Sequence, residues 1–205
     1  MAAGRSLSHP LNVLITGASS GVGEALAVSL GARVGRMFLC GRKVDSLERV
    51  AAKCSSVDVS FGVGDVGVAK DVEQLVGKAR SFFGADAPDV LVLNAGLNRP
   101  GKIGEVGVEE YEIVMDTNVK GVFLFLNAFL PAMKERGSGQ VVVTSSVLGM
   151  RTRPGMGLYC ASKFALAGLL GSVRDELVAT SVKAGMVCPG AIDTAWWKEK
   201  DRGGK

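Results

Sequence analysis

The stretch Leu11-Asn-Val-Leu-Ile-Thr16, continued by Gly17-Ala-Ser-Ser-Gly-Val-Gly23, decides the fold. Its first six residues are mostly apolar and predict a buried strand, and the glycine-rich turn leads into a helical pattern over residues 21–30. The three glycines permit a tight turn, a close approach of backbone N–H groups to a pyrophosphate, and close packing of helix on strand. Such a turn can be merely structural, but its position after a first strand favours a nucleotide site.

The rest of the chain repeats this alternation. Predicted strands cover residues 11–16, 37–40, 57–63, 89–93, 140–145 and 182–188, and predicted helices cover 21–30, 44–54, 69–83, 107–116, 119–134 and 157–179. The apolar run from Asp89 to Leu93 is typical of a parallel strand covered on both faces. The length favours one domain over residues 1–205, an α/β protein with a doubly wound parallel Rossmann sheet in the order 3-2-1-4-5-6.

Composition narrows the functional classes. Glycine is abundant (28 of 205 residues), and 47% hydrophobic with 21% charged residues is typical of a soluble globule. Half of the net charge of +4 lies in residues 198–205, and no basic stripe interleaves with aromatics, so no nucleic-acid partner is expected. Asn127 and Pro131 interrupt the longest apolar stretch, which is too short for a membrane span, and no signal-peptide core is found. We therefore expect a cytoplasmic protein.

The cysteines argue against a metal site. Cys40, Cys54, Cys160 and Cys188 are widely spaced, and His9 is the single histidine. This set lacks the spacing of a metal-ligand group. We expect no metal and free, buried thiols in a reducing compartment.

Several further motifs accompany the glycine turn. They are Asn94-Ala-Gly96, Asn118, Ser145-Ser146, Tyr159-x-x-x-Lys163, and Pro189-Gly190 with Thr194. With the spacing G-x-x-x-G-x-G, the chain from residue 11 to about 196 resembles the short-chain dehydrogenase/reductase family. One departure is Leu93, where family members often have a second asparagine.

The resemblance implies an NADP(H)-dependent oxidoreductase that interconverts a carbonyl and a secondary alcohol of a small molecule. It implies that Tyr159 is the general acid/base, that Ser146 orients the carbonyl, that Lys163 holds the nicotinamide ribose, and that Asn118 anchors a proton relay. Tyr159 and Lys163 are four residues apart on a predicted helix and share a face. An ammonium about 4 Å from the phenol offers the roughly 4 kcal/mol needed to lower its pKa by about three units.

The resemblance also assigns the cofactor-binding residues. These are Gly17, Ser19, Ser20, Gly21, Val22, Gly23, Arg42, Asp65, Val66, Asn94, Ala95, Gly96, Tyr159, Lys163, Pro189, Gly190, Ile192 and Thr194. NAD enzymes commonly carry an acid at the end of the second strand, whereas here Gly41 is followed by Arg42. Arg42 can clamp a 2′-phosphate, so NADP(H) is expected over NAD(H).

An alternative function is a non-catalytic dinucleotide-binding or interaction protein. Relatives continue past the sixth strand, so we expect the usual seventh strand to be lacking and residues 195–205 to be a shortened substrate-cover segment or tail. Trp196 and Trp197 would begin a substrate wall or cover the sheet. The bare sixth strand would be covered by the tail or by a second subunit. Through the helices at 119–134 and 157–179 the resemblance implies a homodimer or homotetramer.

Overall fold

The structure, a computed structural model, describes residues 11–54 and 57–194. The strands are β1 (Asn12–Thr16), β2 (Arg36–Gly41), β3 (Asp58–Val63), β4 (Val90–Leu93), β5 (Gln140–Thr144) and β6 (Lys183–Val187). The helices are α1 (Gly21–Leu30), α2 (Val44–Lys53), α3 (Ala69–Phe83), α4 (Val108–Met115), α5 (Gly121–Arg136) and α6 (Gly157–Glu176). Each predicted element is found, with ends shifted by up to three residues.

The strands form one sheet in the order β3-β2-β1-β4-β5-β6, and every neighbouring pair is parallel. This confirms the predicted doubly wound Rossmann sheet. Alternate residues of β1 point to opposite faces, Leu14 into one core and Val13 and Ile15 into the other. Helices α3, α5 and α6 cover the first face, and α1 and α2 cover the second.

The two halves of the sheet differ in their cover. Met37 and Leu39 of β2 are fully buried on the face that α1 and α2 cover. In β6 the exposed residues alternate with half-buried ones, and Val187 is 52% exposed. Within the described part of the chain, β6 therefore has one covered face. The predicted cover segment at residues 195–205 lies outside the described residues.

Helices α4 and α5 are joined, where the sequence predicted two separate helices. Residues Asp116–Lys120 form a π-helical turn, in which the Gly121 N–H donates to the carbonyl of Asp116. The combined helix Val108–Arg136 is long and apolar enough to cross a bilayer, with a mean hydropathy of 1.4 in its most apolar window. Phe125 and Phe129 of this helix are buried against the sheet, as in a core helix.

Candidate active site

A cleft of about 930 Å³ opens where the carboxyl ends of the strands meet. We call the lining that follows β1, β2 and β3 the cofactor half, and the lining that follows β4, β5 and β6, with the start of α6, the catalytic half. Successive strands are added outward on one side of β1 (β2, then β3) and then on its other side (β4, β5 and β6). Open α/β sheets bind ligands at the point between β1 and β4 where this order changes direction. All the site residues predicted from the sequence line this cleft except Gly23 and Asn118.

The glycine turn after β1 is held by backbone crowding. Gly17 and Gly21 have φ values of +65° and +57°, which favour glycine. A Cβ on Gly17 would lie 2.8 Å from Cα of Ala95, and one on Gly23 would lie 2.3 Å from the carbonyl oxygen of Gly17. Gly23 thus permits close packing of α1 against the turn, and it is not among the residues that line the cleft.

The start of α1 presents N–H groups to the cleft. Ser20 is the N-cap residue, yet its side chain accepts no hydrogen bond from the first turn. Uncapped N–H groups and the helix dipole together favour an anion. The turn, the helix start and the size of the cleft fit the pyrophosphate of a dinucleotide.

The ends of β2 and β3 bring Arg42 and Asp65 together. Nη1 of Arg42 lies 3.7 Å from Oδ2 of Asp65, and the two side chains are 62% and 35% exposed. A Cβ on Gly41 would lie 3.2 Å from both Leu47 and Ser19. Little room therefore exists for an acidic side chain at Gly41.

A clamp between α1 and α2, not predicted from the sequence, supports the glycine turn. Arg49 pairs with Glu24 and donates to the carbonyl of Ser19 at 3.2 Å, while Lys53 donates to Glu24 at 2.8 Å. The hydrogen bond from Arg49 is the largest influence that lowers the pKa of Glu24, to about 2. These residues lie on exposed helix faces, where charge patterns rarely reveal a specific contact.

Asn94 ties three strands together at the centre of the cleft. The backbone N–H groups of Asn94 and Ala95 both donate to Oγ1 of Thr16 at 3.0 Å. The side chain of Asn94 donates to the carbonyl of Thr16 at 3.2 Å and accepts from Thr144 at 3.2 Å. Sequence reasoning missed both threonines, although each is the final, polar residue of an apolar strand.

Ser146 is the serine that reaches the phenol. The side chains of Ser146 and Tyr159 are hydrogen-bonded, and Oγ of Ser146 also accepts the N–H of Leu148 at 3.1 Å. Ser145 instead contacts the backbone carbonyl of Lys163, at 3.5 Å. Of the two serines, Ser146 is therefore the one that contacts the phenol.

Lys163 is buried beside Tyr159, but its ammonium group is hydrogen-bonded to the backbone and not to the phenol. Its Nζ donates to the carbonyl of Thr144 at 2.9 Å and lies 5.5 Å from the centre of the Tyr159 ring. Burial lowers the pKa of Lys163 to about 8. Burial also raises the pKa of Tyr159, while the hydrogen bond with Ser146 acts in the opposite direction. The pKa of Tyr159 is therefore shifted in the direction opposite to the lowering expected from Lys163, because the cost of burying the phenolate is the largest influence.

Asn118 lies in the π-helical turn and is fully buried. Its Oδ1 accepts the N–H of Leu97 at 2.8 Å, and its Nδ2 donates to the carbonyl of Leu97 at 2.8 Å and to Ser162 at 2.9 Å. The side chain therefore connects the β4 loop to α6. Single-turn π-bulges occur frequently at functional sites, and this one fixes where the Asn118 backbone lies.

The segment after β6 closes the cleft toward the glycine turn. The carbonyl of Pro189 accepts the N–H of Val147 at 3.0 Å, which ties this segment to the Ser146 loop. The side chain of Thr194 comes within 3.7 Å of a Cβ placed on Gly21. Gly190 and Ile192, which the sequence assigned to cofactor binding, also line the cleft.

Within residues 11–54 and 57–194, no group of three or more His, Cys, Asp or Glu side chains is placed to hold a metal ion. Cys40, Cys54 and Cys160 are buried, Cys188 is half-buried, and all four are free thiols.

Comparison with known proteins gives a consistent result. The family model described as short chain dehydrogenase matches residues 11–204. An uncharacterized oxidoreductase of Staphylococcus haemolyticus is 34% identical over 192 residues, which are 94% of this chain and 82% of that protein. An alcohol dehydrogenase of Thermococcus sibiricus, solved with 5-hydroxy-NADP, is 34% identical with a TM-score of 0.84, over 90% of this chain and 78% of that one. A short-chain dehydrogenase/reductase of Burkholderia phymatum, solved with NAD, is 28% identical with a TM-score of 0.87, over 95% and 70%.

The chain belongs to the short-chain dehydrogenase family. It is an NAD(P)-dependent dehydrogenase/reductase with a Rossmann fold, which confirms the class that the sequence motifs predicted.

Proposed function

We propose that this protein is an NADP(H)-dependent oxidoreductase that interconverts a carbonyl and a secondary alcohol, with Tyr159 as the general acid/base. The observation that carries the proposal is the hydrogen-bonded pair of Ser146 and Tyr159, with buried Lys163 beside it, in the cleft that the glycine turn also lines. A dinucleotide supplies or accepts the hydride when bound.

The protein's own groups handle the oxygen and its proton. The hydroxyl of Ser146 holds the substrate oxygen next to the phenol, and Tyr159 donates its proton to that oxygen during reduction. A raised phenol pKa keeps Tyr159 protonated for this step. In the reverse direction the phenolate accepts the alcohol proton. Lys163, whose Nζ donates to the carbonyl of Thr144 at 2.9 Å, would hold the nicotinamide ribose when the dinucleotide is bound.

Asn118 acts in this proposal as a positioning residue through its side chain. Its hydrogen bonds to Leu97 and Ser162 fix the β4 loop against α6. A Cβ on Gly96 would lie 3.3 Å from Oδ1 of Asn118 and 3.4 Å from Nζ of Lys163. Gly96 therefore packs closely against both side chains, and in this proposal Asn118 anchors a proton relay.

The preference for NADP(H) rests on the end of β2. Arg42 lines the cleft, and its exposed ion pair with Asp65 contributes at most about 1 kcal/mol, so a 2′-phosphate can replace the carboxylate at little cost. Crowding at Gly41 opposes the acid that would bind a ribose 2′-hydroxyl. The 5-hydroxy-NADP bound to the Thermococcus enzyme supports the same preference, whereas the NAD bound to the Burkholderia protein does not.

We propose further that the chain forms one cytoplasmic domain that assembles as a homodimer or homotetramer through α5 and α6. Phe123 on α5 and Phe164 on α6 are 49% and 44% exposed, which is unusual for aromatic side chains of a monomer surface. Light scattering on the parent and on Phe123→Glu tests this assembly, because a buried charge would dissociate it.

The catalytic proposal is tested with a carbonyl panel followed by NADPH absorbance. Tyr159→Phe should lower kcat roughly 10²–10⁴-fold, as expected for the loss of a general acid. The matched control is Tyr111→Phe, because Tyr111 is exposed on α4 and does not line the cleft. Parent-like turnover by Tyr159→Phe would refute the mechanism. Tight NADPH binding with no turnover of any carbonyl would favour the non-catalytic dinucleotide-binding alternative.

A further inference from the structure

The catalytic half of the cleft carries positive charge beyond what a dinucleotide needs. Its lining includes Arg99, Arg151 and Arg153, in addition to buried Lys163. Among the described residues of the whole lining, Asp65 is the one acidic side chain, and it lies in the cofactor half after β3. In the strand order, two strands lie between β3 and β4, and three lie between β3 and β5.

The position of these arginines separates them from the predicted cofactor phosphates. The glycine turn and the start of α1 face the pyrophosphate, and Arg42 at the end of β2 faces a 2′-phosphate. Arg151 instead follows the Ser146 loop, to which its N–H is bonded through the carbonyl of Val147 at 3.2 Å. Arg151 is therefore held next to the Ser146 loop, and Arg153 lines the same cleft two residues further on.

Two loops are joined into one wall by backbone contacts. The N–H of Gly101 donates to the carbonyl of Gly155 at 2.9 Å, and Gly101 forms an isolated parallel bridge with Met156. Asn98 adds a side-chain contact to the sulfur of Met156. The loop that carries Arg99 and the loop that carries Arg153 are thereby fixed next to each other.

Two arginines of this wall, Arg151 and Arg153, have no acidic partner among the described residues. No carboxylate there forms an ion pair with Arg151 or Arg153, whereas Arg42 and Arg49 of the cofactor half both have one. Apolar Leu148 lines the same wall closer to Ser146. A cleft lined by one sign of charge raises the local concentration of ligands of the opposite sign.

We propose that the substrate is an anionic carbonyl compound, with its carbonyl at Tyr159, an apolar middle against Leu148, and a carboxylate or phosphate bound by Arg151 and Arg153. This inference rests on the function proposed above and names its substrate class. Guanidinium groups suit both oxyanions because they donate paired N–H groups.

The test compares matched substrates with NADPH: oxo acids of several lengths against their methyl esters, and a phosphorylated ketone against its free alcohol. The parent should prefer the anionic member of a pair, and added salt should weaken that preference alone. The double variant Arg151→Gln/Arg153→Gln should lose roughly tenfold in kcat/KM on the anionic substrate, which is the scale of one charge-assisted contact. It should retain its activity on the neutral partner. The control Arg33→Gln removes a charge outside the cleft.

A second readout separates this inference from the proposed function. With NADPH bound, glutarate or inorganic phosphate should raise the Tm of the parent and of Arg33→Gln but not of the double variant. Anion binding without turnover of any carbonyl would leave the anion site standing and refute the oxidoreductase mechanism. Turnover with equal kcat/KM for anion and neutral partner, or an equal loss on both in the double variant, would overturn the anionic substrate alone. Neither turnover nor a Tm shift would overturn both.

Discussion

The cofactor half of the cleft works through its backbone, whereas the catalytic half works through side chains. Around Gly17 and Gly23, the contacts that decide the shape are backbone atoms within 3 Å of where a Cβ would be. Around Lys163 and Asn118, the deciding contacts are side-chain hydrogen bonds between β4, β5 and α6. The first half can therefore lose its function by a single added methyl group. The second can lose catalysis while its shape is kept.

The sharpest expected contrast comes from two glycine substitutions. Gly23→Ala places a Cβ against the carbonyl of Gly17 and should abolish dinucleotide binding, because the turn must open to relieve the clash. Gly77→Ala on α3, where a Cβ meets nothing within 4 Å, should raise the free energy of unfolding by up to about 1 kcal/mol. Cofactor titration by fluorescence and urea unfolding measure the two effects. Normal NADPH affinity in Gly23→Ala would contradict the claim that backbone packing determines cofactor binding in the cofactor half.

Lys163 gives the catalytic half a pH signature. Burial lowers the pKa of Lys163 from 10.5 to about 8 in the folded protein. Between these two pH values Lys163 is protonated in the unfolded chain and neutral in the folded protein. The free energy of unfolding therefore increases as pH rises through that window. The difference in unfolding free energy between the parent and Lys163→Met should grow by about 3 kcal/mol across it. Taking the difference cancels other titrations, including that of Cys40, whose pKa burial raises. A pH-independent difference would contradict the buried ammonium.

Substitution of Arg42 tests whether a side chain of the cofactor half contributes to cofactor preference. Arg42→Ala should weaken NADPH binding by about tenfold, in the lower range for a charge-assisted contact because the side chain is 62% exposed. NADH binding should hardly change. Calorimetry with both cofactors measures the split, and Arg33→Ala is the matched control. Equal losses for the two cofactors would show that Arg42 does not bind the 2′-phosphate.

A further pair of substitutions tests the cover of the sheet. Val143→Thr buries a hydroxyl in the core of β5 and should cost about 1–3 kcal/mol of stability. Val187→Thr makes the same change on β6, where the side chain is 52% exposed, and should shift stability by less than about 0.5 kcal/mol. Chemical denaturation compares them directly. Similar costs would mean that β6 is covered on both faces in solution.

The cofactor half was more predictable from the sequence than the catalytic half. Gly17, Gly21 and Gly23 carry their structural requirement in their residue type and spacing, and the apolar run of β1 (Asn12–Thr16) permits few alternatives to a buried parallel strand. The π-helical turn at Asn118 depends on contacts from Leu97 and Ser162, far away in the chain, so local patterning indicated two helices.

The parts of the site that the sequence did not predict also depend on contacts between residues far apart in the chain. Thr16 and Thr144 act through hydrogen bonds to Asn94 that form when three strands are side by side. The direction of the Tyr159 pKa depends on burial, which the four-residue spacing to Lys163 does not determine. Spacing predicts which side chains share a helix face, and packing decides which partner each one takes.

The central claim is that binding and chemistry are separable between the two halves. Its most direct test is to measure the NADPH dissociation constant and the single-turnover rate of hydride transfer for Tyr159→Phe and for Gly23→Ala in parallel. We predict that Tyr159→Phe binds NADPH like the parent and transfers hydride roughly 10²–10⁴-fold more slowly, while Gly23→Ala fails to bind. A Tyr159→Phe protein that loses NADPH affinity as strongly as it loses turnover would contradict the account.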